Sequence, residues 1–185
     1  MVILMALWLP ILVAAVVVFA ASSIMHMVLP YHKSDYKGLP DEEKALAVLR
    51  SAGLQPGQYV FPYCKHEDMK KQETQEKFKR GPVGIMYVRP SGEVQLGKFL
   101  GMWFVFCLIV GVFVAYLTGH TVDQGAHYLK VFRVAGTTAF LAYGLGNLSS
   151  GIWKGQPWGV TIKEVVDGLV YGLLTAGVFG WLWPR

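Results

Sequence analysis

Two short stretches of the sequence combine histidine with other groups that bind metal ions. In the first, His26 lies between two methionines, and imidazole nitrogen with thioether sulfur is typical of copper sites. In the second, His120, Asp123 and His127 are three and four residues apart, so they would share one face of a helix. Two histidines and a carboxylate are also a composition that binds transition metals. Both stretches are therefore candidate metal sites.

The helical setting of the first stretch argues against a metal. Successive residues on a helix are about 100° apart, so Met25 and Met27 diverge by about 200° and cannot reach one ion. Pro30 lacks an N–H and disfavours helix before it, which predicts that the helix ends here. We predict that His26 marks a helix end at the membrane surface and binds no metal. A ligand role would need a turn that brings in another nitrogen or sulfur, from His32, Cys64 or His66.

The second stretch is interrupted by glycine. Gly119 and Gly125 favour a loop over a continuous helix, which would separate the three side chains. We therefore predict no metal there either, and His120, Asp123 and His127 stay as the lower-ranked candidates.

Two acidic residues near the start of the last apolar stretch allow a third kind of site. Glu164 and Asp167 suit the positive end of a helix dipole, and Lys163 can pair with Asp167 at i,i+4. Ionisable groups inside a membrane are often functional, however. The alternative is a proton or quinone site formed by His26, Glu164 and Asp167, which we expect at the same depth.

Long uncharged runs indicate the elements that would position these residues. Residues 2–28 and 99–118 contain no Lys, Arg, Asp or Glu, and each reaches the roughly 20 residues that cross a bilayer. Two weaker apolar stretches lie at about 131–150 and 162–183. The fold class predicted is a mainly α membrane protein, a four-transmembrane-helix bundle.

Basic residues predict the orientation of that bundle. With residues 31–97, the adjoining Lys98 and the 151–163 loop inside, 14 of the 17 basic residues face the cytoplasm and both termini face outward, as the positive-inside rule favours. The same segment also carries nine acids and lacks a basic-aromatic stripe, so we predict no nucleic-acid partner.

The polar segment between the first two helices predicts a small α+β cap. Residues 1–30 would form helix one, 31–97 the cytoplasmic cap and 98–185 helices two to four. Pro40 and the acids after it predict a helix start, residues 58–61 a strand, and Ser91-Gly92 the turn of a hairpin. The charged stretch 65–80 predicts an exposed helix.

Small residues recur every four positions in three of the predicted helices, which favours close helix packing. The three stripes are Gly111, Ala115 and Gly119; Thr138, Ala142, Gly146 and Ser150; and Gly168, Gly172, Ala176 and Gly180. Their spacing does not say whether each stripe packs within the chain or against another subunit.

The early segment "VLPYHKSDYKGLPDEE" and the C-terminal part of the chain, from "VFRVAGTTAF" to "VFGWLWPR", resemble a family of uncharacterised bacterial inner-membrane proteins. That resemblance implies a location in the bacterial cytoplasmic membrane and assigns no residue roles.

No P-loop, G-x-S-x-G, HExxH, CxxC or CxxCH motif occurs, so we expect no resident cofactor. The predicted membrane bundle leads us to expect bound lipids. The leading hypothesis is a non-enzymatic accessory subunit that packs against lipids and other membrane proteins or itself, in an energy-transducing complex. The alternatives are a metal- or quinone-handling enzyme component and a small oligomeric transporter.

Overall fold

The computed structural model describes residues 2–185 and is mainly helical, with 68% helix and one two-stranded sheet. The elements in chain order are α1 (Trp8–Ser23), α2 (Glu42–Ser51), β1 (Gly57–Phe61), α3 (Gln72–Arg80), β2 (Gly84–Val88), α4 (Leu96–Thr121), α5 (Tyr128–Tyr143), α6 (Leu148–Trp153) and α7 (Trp158–Trp181). The chain divides into a helical unit (residues 2–35, 95–151 and 156–185) and a small unit (36–94 and 152–155). The predicted helical character is confirmed.

Two helices are long and apolar enough to cross a membrane. A 3-10 turn precedes α1 and a π-helical turn follows it, giving an apolar segment at Leu4–Val28 with mean hydropathy 2.7. The second is α4, with 26 residues and mean hydropathy 2.5. At 1.5 Å per residue, each is longer than the roughly 30 Å of a hydrocarbon core.

The third predicted span is shorter than expected. α5 has 16 residues, about 24 Å, and ends at Tyr143, where Gly144 leads into a 3-10 turn and the short α6. Glycine is a poor helix former, and Gly144 also lies directly against the backbone of α7. α7 has 24 residues, and the four-span prediction stays a prediction.

The helical unit is held together by close backbone contacts. α5 lies along α7, and α1 packs against both α4 and α7. A Cβ at Gly168 would overlap the backbone of Gly144, and one at Gly111 would lie 3.1 Å from the side chain of Ile11. Apolar side chains fill the interior between these crossings, among them Leu7, Val18, Val114, Val131 and Phe179.

The stripe predicted for the third helix is wrong. The helix ends at Tyr143, so Gly146 and Ser150 lie beyond it, and Ala142 is exposed. The side chains that α5 buries are one residue out of step with the predicted stripe: Val131, Ala135, Ala139 and Tyr143. By contrast, the stripes of α4 and α7 pack within the helical unit: Gly111 and Gly119 against the N-terminal segment, Gly168, Gly172 and Gly180 against α5.

The small unit contains α2, α3 and the sheet. β1 and β2 pair antiparallel from Gly57–Val88 to Phe61–Gly84, which confirms two of the predicted strands. The helix predicted after Pro40 is confirmed as α2. The hairpin at Ser91-Gly92 is wrong, because residues 89–95 form no strand and α4 begins at Leu96, leaving too little chain for one. The unit is also narrower than the predicted cap, since residues 31–35 belong to the helical unit.

Candidate functional site

A sharp turn after the first helix brings a second histidine back onto His26. The helix ends at Val28, Leu29 is extended, and Pro30–His32 form a 3-10 turn, as expected where proline removes a helical N–H. The imidazoles of His26 and His32 then stack, with ring centroids 4.1 Å apart and planes 9° from parallel. The predicted helix end is confirmed, but His26 is not alone at it.

In each of the two histidines, Nδ1 makes the hydrogen bond that orients the ring. His26 Nδ1 lies 3.1 Å from the carbonyl of Ser22, and His32 Nδ1 lies 2.6 Å from Asp35 Oδ2. A carbonyl and a carboxylate only accept hydrogen bonds, so each Nδ1 donates. In the neutral rings, Nε2 therefore carries the free lone pair on both histidines.

The two Nε2 atoms face the carboxylate of Asp167 on α7. Asp167 Oδ2 is 3.0 Å from His32 Nε2 and 3.9 Å from His26 Nε2. The Asp167 side chain is only 4% exposed, and within the described chain neither of its oxygens, nor His32 Nε2, has a hydrogen bond of good geometry. A buried carboxylate without hydrogen bonds is unfavourable unless a cation or proton compensates its charge.

Lys163, one turn before Asp167 on α7, anchors the turn that carries His32. Its Nζ donates to Asp35 Oδ1 at 2.6 Å, to the Tyr31 carbonyl at 2.7 Å and to Ser34 Oγ at 3.0 Å. The hydrogen bonds from Lys163 and then from His32 hold the pKa of Asp35 below its usual range. Asp35 is therefore a carboxylate, and it orients the His32 ring.

The structure brings together His26 and Asp167 from the predicted proton or quinone site. Glu164 lies at the edge of the same cavity, where its carboxylate accepts a hydrogen bond from Gln156 Nε2 at 2.8 Å. It is not part of the cluster. Sequence reasoning named His32 only as a possible extra ligand, and it missed Asp35; Pro30 between the two histidines was the available signal for a turn.

The second predicted set is not assembled. His120 Nδ1 bonds to the Tyr116 carbonyl at 2.7 Å, within its own helix, and His127 Nδ1 accepts from the backbone N–H of Leu129 at the start of α5. Among residues 2–185, the one group of three or more His, Cys, Asp or Glu residues whose ligand atoms are close enough to share an ion is His26, His32 and Asp167, all within 4.8 Å.

A cavity of about 510 Å³ adjoins the cluster. Its lining combines Asp167 and His26 with five aromatic side chains, Phe99, Trp103, Phe106, Tyr143 and Tyr171. Trp103 Nε1 donates to Ser22 Oγ at 2.8 Å, which ties α4 to α1 beside the cavity. A mostly apolar cavity therefore lies directly beside a group of potential metal ligands.

Stacked histidines with fixed tautomers, a buried carboxylate and an adjoining cavity are thus the features from which the function has to be inferred. No protein-family model, curated protein or solved structure matches this chain.

Proposed function

We propose that the chain is a membrane protein that binds one divalent transition-metal ion through His26, His32 and Asp167, and this replaces the sequence-based prediction that His26 binds no metal. The observation that carries the proposal is the buried Asp167 carboxylate, without hydrogen bonds among the described residues and faced by two imidazole Nε2 atoms. Two imidazole nitrogens and one carboxylate suit Zn²⁺ or Fe²⁺. Three protein ligands would leave coordination positions for water or another molecule.

The charges favour an ion over a neutral cluster. Two lone pairs and a carboxylate converge at 3.0–3.9 Å in a site with little solvent around Asp167. A proton on His32 is the simpler source of positive charge. The contact between His32 Nε2 and Asp167 Oδ2 has the distance of a hydrogen bond but not its geometry, so a proton satisfies it poorly.

Groups behind the histidines match what metal sites use. Ligating histidines almost always donate their other ring N–H to a carboxylate or a backbone carbonyl. Here Asp35 serves His32 and the Ser22 carbonyl serves His26. Both rings are thereby oriented before any ion binds, and this reduces the entropy lost on binding.

The membrane setting is part of the proposal. α1 and α4 supply two spans, and we propose that α5 and α7 complete a four-span bundle in the bacterial cytoplasmic membrane. The basic-residue count and the family resemblance support this, with the metal centre near the cytoplasmic face. A cysteine introduced at Ser91 should then resist labelling by membrane-impermeant reagents in intact cells, and labelling there would contradict the orientation.

Equilibrium dialysis of the purified chain in mild detergent, with elemental analysis, tests the metal. We expect one Zn²⁺ or Fe²⁺ per chain. His32→Ala removes a ligand and should lower the metal affinity by about 100-fold, because losing a group that only orients a ligand already costs about 10- to 100-fold. His120→Ala is the matched control and should bind like the wild type. Equal binding by both variants, or none by the wild type, would refute the proposal.

An accessory-subunit function is the second candidate, as the sequence first suggested. A separate groove of about 250 Å³ lies between α5 and α7, lined by Phe132, Arg133, Phe140 and Leu173 among others. An apolar groove beside an arginine suits a lipid or a neighbouring membrane helix. Proteins that co-purify with the wild type but not with an Arg133→Glu variant would support this candidate. A purely monomeric protein with no such partners would count against it.

A further inference from the structure

We infer that the cavity beside the metal centre binds the ring of a quinone-class molecule, with one ring oxygen at the open coordination position of the ion and the other accepting a hydrogen bond from Tyr171. The inference rests on the proposed metal site. The cavity volume of about 510 Å³ lies within the range of small-molecule sites.

Tyr171 provides the hydrogen-bond donor that a ring carbonyl needs. Its side chain lines the cavity, the residue is 4% exposed, and its hydroxyl has no hydrogen-bond partner within residues 2–185. Leaving such a donor unsatisfied is unfavourable, so a ligand acceptor would stabilise it. Tyr171 follows Asp167 by four residues on α7, so the two side chains lie on the same face of the helix, one turn apart.

The walls of the cavity suit a flat ring. Trp103, Phe106, Tyr143 and Tyr171 form one aromatic cluster, with neighbouring centroids 5.4–6.3 Å apart. Aromatic side chains bind planar rings through offset-stacked and edge-to-face contacts. The cavity therefore favours a planar head group over an aliphatic one.

The charges of the lining disfavour an anionic head group. Glu164 and Asp167 both face the cavity, and among the described lining residues there is no lysine or arginine. The proposed ion would be the one cation near a lipid phosphate; Asp167 already offsets part of its charge, and Glu164 would repel the phosphate. A neutral ring with acceptor oxygens avoids that repulsion.

The cavity also has an apolar mouth. Met27 and Phe99 line it and are exposed, and they come from Leu4–Val28 and α4, the two segments apolar enough to cross a membrane. An isoprenoid or alkyl tail could leave the cavity between them into the lipid. This combination of a polar inner end and an apolar exit fits a membrane-soluble quinone.

The test uses the metal-loaded full chain in lipid nanodiscs, titrated with decylubiquinone while quenching of tryptophan fluorescence is recorded. We expect saturable binding that decylbenzene, which has the tail but no ring oxygens, does not compete. Tyr171→Phe should weaken it by about tenfold, the value of one lost hydrogen bond, with the metal content unchanged. Tyr116→Phe, on an exposed part of α4 outside the cavity lining, is the matched control.

Two further samples make the test decisive. Ala142→Trp adds bulk at the cavity lining, so it should abolish quinone binding while the ion is retained. Removing the ion should weaken quinone binding as well. If the metal-loaded protein binds no quinone, or if Tyr171→Phe, Ala142→Trp or the stripped protein binds it like the wild type, the inference is wrong, although the metal site itself stands. Absence of metal binding in the dialysis experiment would overturn the metal site instead.

Discussion

The helical unit contains two sets of two histidines and one aspartate. The structure brings the side chains of only one set together. His120, Asp123 and His127 are close in sequence, yet each histidine is engaged by nearby backbone. His26, His32 and Asp167 come from the two ends of the chain, and their ligand atoms lie within 4.8 Å of one another. Regular spacing therefore did not predict which histidines and aspartate come together.

Burial is the physical difference between the two aspartates. Asp123 is exposed, so solvent screens the charge of its carboxylate. Asp167 is 4% exposed, and its charge must be balanced by groups close to it. Only the buried carboxylate needs a cation or a proton close to it. The following experiments compare the two aspartates and the two sets on that basis.

Replacing the buried aspartate should have the largest effect. Asp167→Asn keeps the shape but removes the charge and an anionic ligand, so we expect metal affinity to fall by 100-fold or more, beyond the 10–100-fold typical of the groups behind ligands. Asp123→Asn is the matched control and should leave the metal content unchanged. Elemental analysis after dialysis measures both. Stoichiometric metal in the Asp167 variant would remove the distinction between the two sets.

Removing the carboxylate behind His32 should have the next largest effect. Asp35→Asn weakens the hydrogen bond that orients the ring and leaves Lys163 without its charged partner. Metal affinity should fall by about 10- to 100-fold, the usual cost of losing such a group. His120→Ala, in the other set, should have no effect on the same titration. An unchanged affinity in the Asp35 variant would mean that its ion pair is only structural.

Separating the helices next to Asp167 should have a moderate effect. A Cβ at Gly168 would overlap the backbone of Gly144, so Gly168→Ala must push α7 from α5 and should lower the free energy of unfolding by about 1–3 kcal/mol. Metal affinity should decrease with it, because Asp167 is the adjacent residue. Thermal melting and metal titration measure the two effects.

Gly101→Ala is the control for that variant, since a Cβ there meets no atom within 4 Å and alanine favours a helix. It should be as stable as the wild type or more stable. Equal stability of the Gly168 and Gly101 variants would show that the close crossing of α5 and α7 is not required.

The smallest effect should come from the second set. His127 caps α5 by accepting from the N–H of Leu129 at 3.3 Å, so His127→Ala should lower the free energy of unfolding by about 0.5 kcal/mol, the low end for an N-cap. Its metal content should match that of the wild type. Any loss of metal in this variant would show that the second set has a function that its geometry does not reveal.

Much of the helical framework could be predicted because it depends on local composition. The apolar runs predicted α1 and α4, and Pro30 predicted the helix end, since both follow from properties of the segment itself. The hairpin at Ser91-Gly92 failed for the opposite reason. A turn signal needs a partner strand of sufficient length, and α4 begins too soon to leave one.

The amino-acid sequence alone determined the two long apolar helices and that His26 stands at a helix end. Only the tertiary structure decided that His32 folds back onto it and that both face Asp167. These contacts depend on the turn that Lys163 anchors to α7 and on how closely α7 approaches its neighbours. Side-chain fit between distant segments sets that approach, and no periodicity within a single segment encodes it.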